Sequence, residues 1–250
     1  MTDWIWYVLL IPAGFLAGVI NTIAGGGSFL TLPALMFLCG LNPQIANGTN
    51  RVAILFSSLV AAKTFHKHGR LDTRLAKRLA LPTLLGAPIG AVLAIQLPVA
   101  AFKPIFGAIF LVMAVLLLLD PKRLTAEKTE REWGPIPVFC IFFAIGVYVG
   151  FIQAGMGVLL LLGMSLLSTG DLVASNAVKN LIGFVVTLVA TLVFAMFGQI
   201  HWIPGLVMAV GNVLGGYVGA KLAIKKGNRL IFWFLVIVMI ATGIKLVTPA

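Results

Sequence analysis

Ten apolar segments follow one another through this chain, most of them about as long as a membrane crossing, and this pattern limits the possible folds more than any other feature. A helix needs about 20 apolar residues to cross the hydrocarbon core of a bilayer. Of the 250 residues, 60% are hydrophobic and only 10% are charged, whereas a soluble domain is about a quarter charged. The sequence therefore predicts an all-α polytopic bundle embedded in the lipid bilayer. The segments cover residues 4–23, 27–40, 47–65, 78–97, 101–119, 135–153, 156–169, 173–197, 202–221 and 230–247.

The strongly hydrophilic stretch "DPKRLTAEKTERE", residues 120–132, divides five segments from five and indicates an internal repeat. The nine residues that begin at Gly86 and the nine that begin at Gly215 are identical at five positions, at an offset of 129. Asn47 aligns with Asn176 at the same offset. The glycine clusters that precede the two short segments also align. The predicted domains are a first transmembrane repeat at 1–119, a cytoplasmic linker at 120–134 and a second transmembrane repeat at 135–250.

The basic residues change sides between the two repeats. Loop 66–78 carries five lysines and arginines, whereas its counterpart near 198–202 carries none. The second pair of equivalent loops shows the opposite bias. Loop 97–103 of the first repeat carries one lysine, whereas its counterpart 221–229 carries four basic residues. Because basic residues favour cytoplasmic loops, the swap predicts inverted repeats with an odd number of crossings each. Both termini are then outside and the linker is inside, and the net charge of +11 lies in loops rather than in a nucleic-acid-binding surface.

Both repeats place a glycine cluster between a long apolar segment and a short one. The first reads "NTIAGGGSFLTLP" and the second "IQAGMGVLLLLG". Lipid does not tolerate unpaired backbone, so a glycine-broken helix indicates a protein-lined cavity at the centre of the bundle. The start of the following half-helix offers free N–H groups and suits an anion. The alternative is close helix packing, which we favour for the pairs Gly86/Gly90 and Gly215/Gly219.

A polar trio begins the next apolar segment of each repeat, at spacing i, i+3, i+4 on one helical face. Each trio holds one cation and two asparagines, and two readings remain open. Basic side chains near helix ends often reach to lipid headgroups, whereas polar groups that face a bundle interior mark a transport pathway. The trios are Asn47, Asn50 and Arg51, and Asn176, Lys179 and Asn180.

The seven acidic residues all lie in termini or connections, so no carboxylate is predicted within the membrane. A cation site or proton relay normally uses one, and a small anion is therefore the favoured substrate. The chain has no metal, phosphate-loop or Gly-x-Ser-x-Gly motif. We therefore predict no cofactor and no enzymatic activity; a membrane-bound hydrolase is the weaker alternative. Nothing in the sequence specifies an oligomeric state.

With these residues in view, the chain resembles the TauE/SafE family of sulfite exporters and related permeases. The resemblance rests on "AGVINTIAGGGSFLTLPAL" and "ANGTNRVA" in the first half and on "VGFIQAGMGVLLL" and "DLVASNAVKN" in the second. It implies an anion permease of the bacterial or archaeal cytoplasmic (inner) membrane, for sulfite, sulfoacetate or another sulfur-containing anion.

The predicted function is secondary transport of a small anion by alternating access, and the alternative is an anion channel with the same architecture. The site is expected where the two glycine-broken helices face each other, with backbone amides, two cations and amide side chains around the anion. The candidate residues are Asn21, Gly25, Gly26, Gly27, Ser28, Asn47, Asn50, Arg51, Gln153, Gly155, Gly157, Asn176, Lys179 and Asn180.

Overall fold

The structure is a computed structural model, and it describes residues 3–119, 133–167 and 172–225 together with Ile240 and Ile244. Within these ranges the chain is α-helical, as predicted. Its helices are α1 (Asp3–Ile23), α2 (Ser28–Leu38), α3 (Pro43–Lys67), α4 (Thr73–Gln96), α5 (Val99–Leu119), α6 (Pro135–Phe151), α7 (Met156–Leu166), α8 (Leu172–Met196) and α9 (Trp202–Lys225).

Three expected features lie wholly or largely outside the described residues. They are the hydrophilic stretch 120–132, the tenth apolar segment 230–247 apart from Ile240 and Ile244, and the two ends of the chain. The described helices Thr73–Gln96, Val173–Met196 and Trp202–Ile224 are long and apolar enough to cross a bilayer. Several shorter apolar helices accompany them, so the described part of the chain is that of a polytopic membrane protein.

The helix interruptions predicted at the glycine clusters are present. The chain leaves helical geometry between Ile23 and Ser28 and again between Phe151 and Met156. The helices that follow, α2 and α7, have 11 residues each. Such a helix is about 16 Å long, roughly half the thickness of the hydrocarbon core.

Two connections are shorter than the sequence predicted. α3 begins at Pro43, after Asn42 accepts a hydrogen bond from the Ile45 N–H, and α4 begins after Asp72 accepts one from the Leu75 N–H. The prediction started both helices at their first long apolar run and missed these side-chain caps. The predicted loop 66–78 is therefore wrong in extent, and most of its basic residues lie on α4. Likewise, α9 continues to Lys225, through the first part of the predicted loop 221–229.

The long helices pack in pairs that join the two halves of the chain. α1 packs along α9, and α4 packs along α6. Glycines make both contacts close: Gly86 and Gly90 lie against the α6 backbone, and Gly215 and Gly219 lie against α1. The packing role predicted for these glycines is confirmed. Exchange of the two halves converts one pair into the other.

α3 and α8 pack on each other in opposite directions at the centre of the bundle. The start of α3 lies beside the end of α8, since the Arg51 guanidinium carbon is 4.6 Å from the centroid of the Phe194 ring. The end of α3 lies beside the start of α8, where Phe65 packs in one apolar cluster with Ala177. This arrangement sets the two polar trios at opposite ends of the α3/α8 pair.

Candidate functional site

The two helix interruptions meet inside the molecule. The Gly157 N–H donates to the Gly25 carbonyl at 3.2 Å, and a Cβ atom added at Gly25 would overlap the Gly157 backbone. Gly25 and Gly155 have φ angles of 81° and 74°, a left-handed conformation that glycine adopts without steric cost. Close approach and positive φ together explain why glycine is needed at these breaks.

The first polar trio reaches across to the end of α6, where the second half of the chain is interrupted. Asn47 Nδ2 donates to the Phe151 carbonyl at 2.8 Å. Arg51 donates from Nη1 to the Val149 carbonyl at 3.1 Å and from Nη2 to the Gly150 carbonyl at 2.6 Å. The final three residues of α6 thus bond to side chains of α3.

The second trio repeats this arrangement at the end of α1. Asn176 Nδ2 donates to the Ile23 carbonyl at 3.0 Å. Lys179 Nζ donates to the Asn21 carbonyl at 3.1 Å and to the Thr22 carbonyl at 2.9 Å. In both halves the asparagine bonds the last residue of the interrupted helix, and the cation bonds the two residues before it.

Both cations are buried, so neither reaches to lipid headgroups. The exposed fraction is 0% for Arg51 and 2% for Lys179. Each lies at the C-terminal end of a helix, where the helix dipole is negative and carbonyls lack intrahelical partners. A cation is favourable there. Their first structural role is therefore to cap the interrupted helix of the opposite half.

The third member of each trio behaves differently in the two halves. Asn50 Nδ2 donates to Ser28 Oγ at 3.1 Å, and Asn50 Oδ1 accepts from Thr31 Oγ1 at 2.5 Å. Asn50 therefore holds the start of α2. Asn180 instead donates to the Asn176 carbonyl of its own helix at 2.8 Å.

The remaining candidate residues surround the two breaks. Gln153 donates through Nε2 to Thr187 Oγ1 on α8, and Asn21 is buried with its Cβ close to Gly27. Gly26 is buried as well. The structure thus brings the breaks together and gathers the trio side chains at the ends of the interrupted helices.

The N-terminal ends of α2 and α7 both lie at the breaks. Their N-cap residues are Gly27 and Gly155, and neither helix has a side-chain hydrogen bond at its cap. Such a helix start carries N–H groups and a partial positive charge suited to an anion. The Gly157 N–H, however, is already bonded to Gly25 in this conformation.

Several buried polar atoms of this region have no hydrogen-bond partner among the described residues. Buried polar groups are normally paired, and an unpaired one calls for a ligand or water. Those among the candidate residues are Arg51 Nε, Asn47 Oδ1, Asn176 Oδ1 and Gln153 Oε1.

Thr31 and Thr187 bond candidate side chains but were not among the predicted residues. Their positions on the helical faces identify them. Thr31 lies three residues after Ser28, and Thr187 lies seven residues after Asn180, so each shares a face with a candidate residue.

A bundle of apolar helices in which two interrupted helices meet beside buried cations is the architecture of a polytopic membrane transporter. The chain belongs to the sulfite exporter TauE/SafE family, whose model matches residues 10–246. The resemblance seen in the sequence is thereby confirmed.

Curated relatives are similar over nearly their whole length. The probable membrane transporter protein ORF9 of Sinorhizobium sp is 32% identical over 98% of this chain and 95% of the relative. A probable membrane transporter protein of Haemophilus influenzae is 30% identical over 96% of this chain and 93% of the relative. The probable membrane transporter protein YfcA of Escherichia coli K12 is 29% identical over 95% and 88%.

Proposed function

We propose that this protein is a secondary transporter for a small sulfur-containing anion, such as sulfite or a sulfonate like sulfoacetate. The anion binds where the two helix interruptions meet, and the transporter works by alternating access. The protein is a permease and not an enzyme. The family name supports sulfite, and the site supports an oxyanion more generally.

The observation that carries the proposal is a buried positive charge without a buried carboxylate among the residues whose side chains the structure describes. Arg51 and Lys179 bond only main-chain carbonyls in the hydrogen bonds given above, and these carbonyls are neutral. Of the acidic residues in the described ranges, Asp72 is exposed at the start of α4 and Asp3 begins α1. Buried charges are costly unless paired, so a bound anion would stabilise these two cations.

The two uncapped helix starts supply directional recognition of the anion. In this conformation the N–H groups of Phe29, Met156 and Gly157 bond the carbonyls of Gly26, Gln153 and Gly25, so amide donation to oxyanion oxygens requires such bonds to open. The Arg51 Nε–H is a donor without a partner among the described residues. Sulfite and sulfonate groups present three oxygens in a compact head, so several donors from different directions hold one anion. Binding requires the Gly25–Gly157 hydrogen bond to open or the anion to bind beside it.

Alternating access follows from an inverted relation between the halves. The reciprocal pairs α1/α9 and α4/α6 and the antiparallel α3/α8 pair support this relation. Each cap joins one half to the other. Loosening the cap at α1 opens one side of the site, and loosening the cap at α6 opens the opposite side.

Exchange measurements in proteoliposomes test this function. Vesicles loaded with unlabelled sulfite or sulfoacetate are diluted into the same labelled anion at equal pH and zero membrane potential. We expect saturable, protein-dependent exchange of at least one of the two anions. Empty vesicles are the control.

Two results would contradict the proposal in different ways. Ohmic single-channel current that does not saturate with anion concentration would identify a channel. The absence of exchange for both sulfur anions by correctly folded protein would remove the proposed substrate class.

A further inference from the structure

Arg51 and Lys179 occupy equivalent caps but differ in one chemical property. A guanidinium stays protonated in proteins, whereas a buried lysine amine can release its proton. We propose that Lys179 is the proton-binding site that couples anion transport to the proton gradient, so that one proton moves with each anion. This inference rests on the proposed anion transport and names its coupling ion.

The cap geometry accommodates both protonation states of Lys179. Its Nζ binds two carbonyls, those of Asn21 and Thr22. A neutral amine has two N–H groups, as many as these acceptors, so deprotonation leaves the cap of α1 intact. An ammonium has three N–H groups and a positive charge. The third N–H and the charge are then available to an anion.

The surroundings of Lys179 favour this switch because the part of them that the structure describes contains no fixed counter-charge. α1 presents main-chain carbonyls, and α7 presents Gly157, where an added Cβ would lie 2.9 Å from Lys179 Cδ. α3 carries Arg51, which is buried, and, near the end that lies beside the start of α8, Lys63, His66 and Lys67, which are exposed. α9 carries Tyr217 and Lys221, which are exposed. On α6, the Tyr148 hydroxyl donates to the Ala154 carbonyl at 2.7 Å. The charged side chains in the first turns of α4 are exposed and are Arg74, Lys77 and Arg78.

Anion binding and protonation therefore support each other. Protonation adds an unpaired donor and a charge that attract the anion, and the bound anion supplies the counter-charge that keeps the amine protonated. On the side of higher proton concentration, Lys179 takes up a proton and the anion binds. On the other side the anion leaves, Nζ releases the proton to water, and the neutral amine keeps its two carbonyl bonds.

The test uses purified protein in proteoliposomes with sulfoacetate, whose sulfonate and carboxylate are both ionised between pH 6 and pH 8. Potassium and valinomycin hold the membrane potential at zero, so only the pH gradient drives uptake. One proton per anion predicts about tenfold accumulation per pH unit, since one unit corresponds to 1.36 kcal/mol. The test variant is Lys179→Arg, which keeps the cation, and the matched control is Lys63→Arg at an exposed position on α3.

We expect wild type and Lys63→Arg to accumulate sulfoacetate in response to the pH gradient, and Lys179→Arg not to accumulate it. Accumulation by Lys179→Arg equal to that of wild type would overturn the inference. Wild-type exchange without any response to the pH gradient would also overturn it, while leaving the proposed transport function standing. A wild type that exchanges neither sulfoacetate nor sulfite would instead refute the proposed function.

A second measurement does not depend on transport. Sulfoacetate is added to folded protein in weak buffer with a pH indicator, and proton uptake is recorded. We expect uptake of up to one proton per molecule for wild type and Lys63→Arg, and none for Lys179→Arg. Equal uptake by Lys179→Arg and wild type would assign the proton to another group and overturn the inference even if that variant does not transport.

Discussion

Arg51 and Lys179 each bond two consecutive carbonyls of a helix that belongs to the other half of the chain. A side chain in this position stabilises the helix end through the cap and, in the proposed site, acts on anion affinity through its charge. The two effects are separable by experiment, because the cap exists without ligand and the charge acts on the ligand.

We expect Lys179→Gln and Arg51→Gln each to weaken sulfoacetate or sulfite binding by about ten- to a hundredfold. A hydrogen bond to a charged group contributes roughly 1.5–3 kcal/mol, and 1.4 kcal/mol is a factor of ten. In the proposed site both cations act on one anion, and this proposal predicts coupling in the double variant rather than simple addition. Titration of purified protein with the anion measures all three, with exposed Lys63→Gln as the control.

A lower melting temperature with unchanged affinity in all three variants would contradict the charge role. Arg51 and Lys179 would then be helix caps only and would be removed from the site. Unchanged melting temperature would contradict the cap role instead.

The asparagines test the capping role without a change of charge. Asn47→Ala and Asn176→Ala each leave the last carbonyl of an interrupted helix without its side-chain donor. A buried acceptor left unsatisfied costs about 1–3 kcal/mol, so both variants should melt at lower temperature than wild type. The control is Gln96→Ala, since Gln96 is exposed at the end of α4. If the Asn variants had the same melting temperature as this control, water would be replacing the side-chain caps.

At the scale of elements, the contact between the two helix breaks is the feature most sensitive to added volume. Gly25 combines a positive φ with direct contact to the Gly157 backbone. Gly40 also has a positive φ, of 64°, but an added Cβ there would meet no atom within 4 Å. The two positions therefore separate backbone strain from steric overlap.

We expect Gly25→Ala to abolish anion exchange while Gly40→Ala retains it. Both variants carry the cost of a left-handed alanine, but only Gly25→Ala forces the interruptions of α1 and α6 apart. Exchange in proteoliposomes, at equal amounts of inserted protein, provides the comparison. Similar exchange by the two variants would mean that the contact between the breaks has no part in transport.

At the scale of the whole molecule, the proposed inverted relation between the halves predicts which connections lie on which side of the membrane. The α3–α4 connection contains Asp72, and the α8–α9 connection contains His201; both residues are exposed. The charge bias predicts that the first connection is cytoplasmic and the second external. The helix directions agree with opposite sides, because His201 N–H donates to Thr49 Oγ1 near the start of α3.

Single cysteines at these two positions, in a chain whose two native cysteines are replaced, test the topology. An impermeant thiol reagent added outside intact cells should label His201→Cys and leave Asp72→Cys unlabelled until the membrane is permeabilised. Labelling of Asp72→Cys alone would reverse the orientation. Labelling of both from outside would exclude an odd number of crossings between them.

Much of this architecture follows from the sequence alone because its signals are local. Apolar length predicts helices, glycine clusters predict their interruptions, and the repeat at an offset of 129 predicts that each interruption occurs twice. The buried trios were also identifiable, because two asparagines and a cation on one helical face are rare in an apolar segment. Helix ends were predicted less well, since Asn42 and Asp72 start helices before the apolar runs begin.

Only the tertiary structure determined where the polar side chains bond. Lys179 bonds carbonyls 157 and 158 positions away in the chain, at Thr22 and Asn21. No local pattern specifies such a partner, since it depends on how α8 and α1 pack across the two halves. The sequence thus determined which residues are polar within the membrane. Packing decided that each cation ends the interrupted helix of the other half, because a buried carbonyl and a buried charge are both costly until they meet.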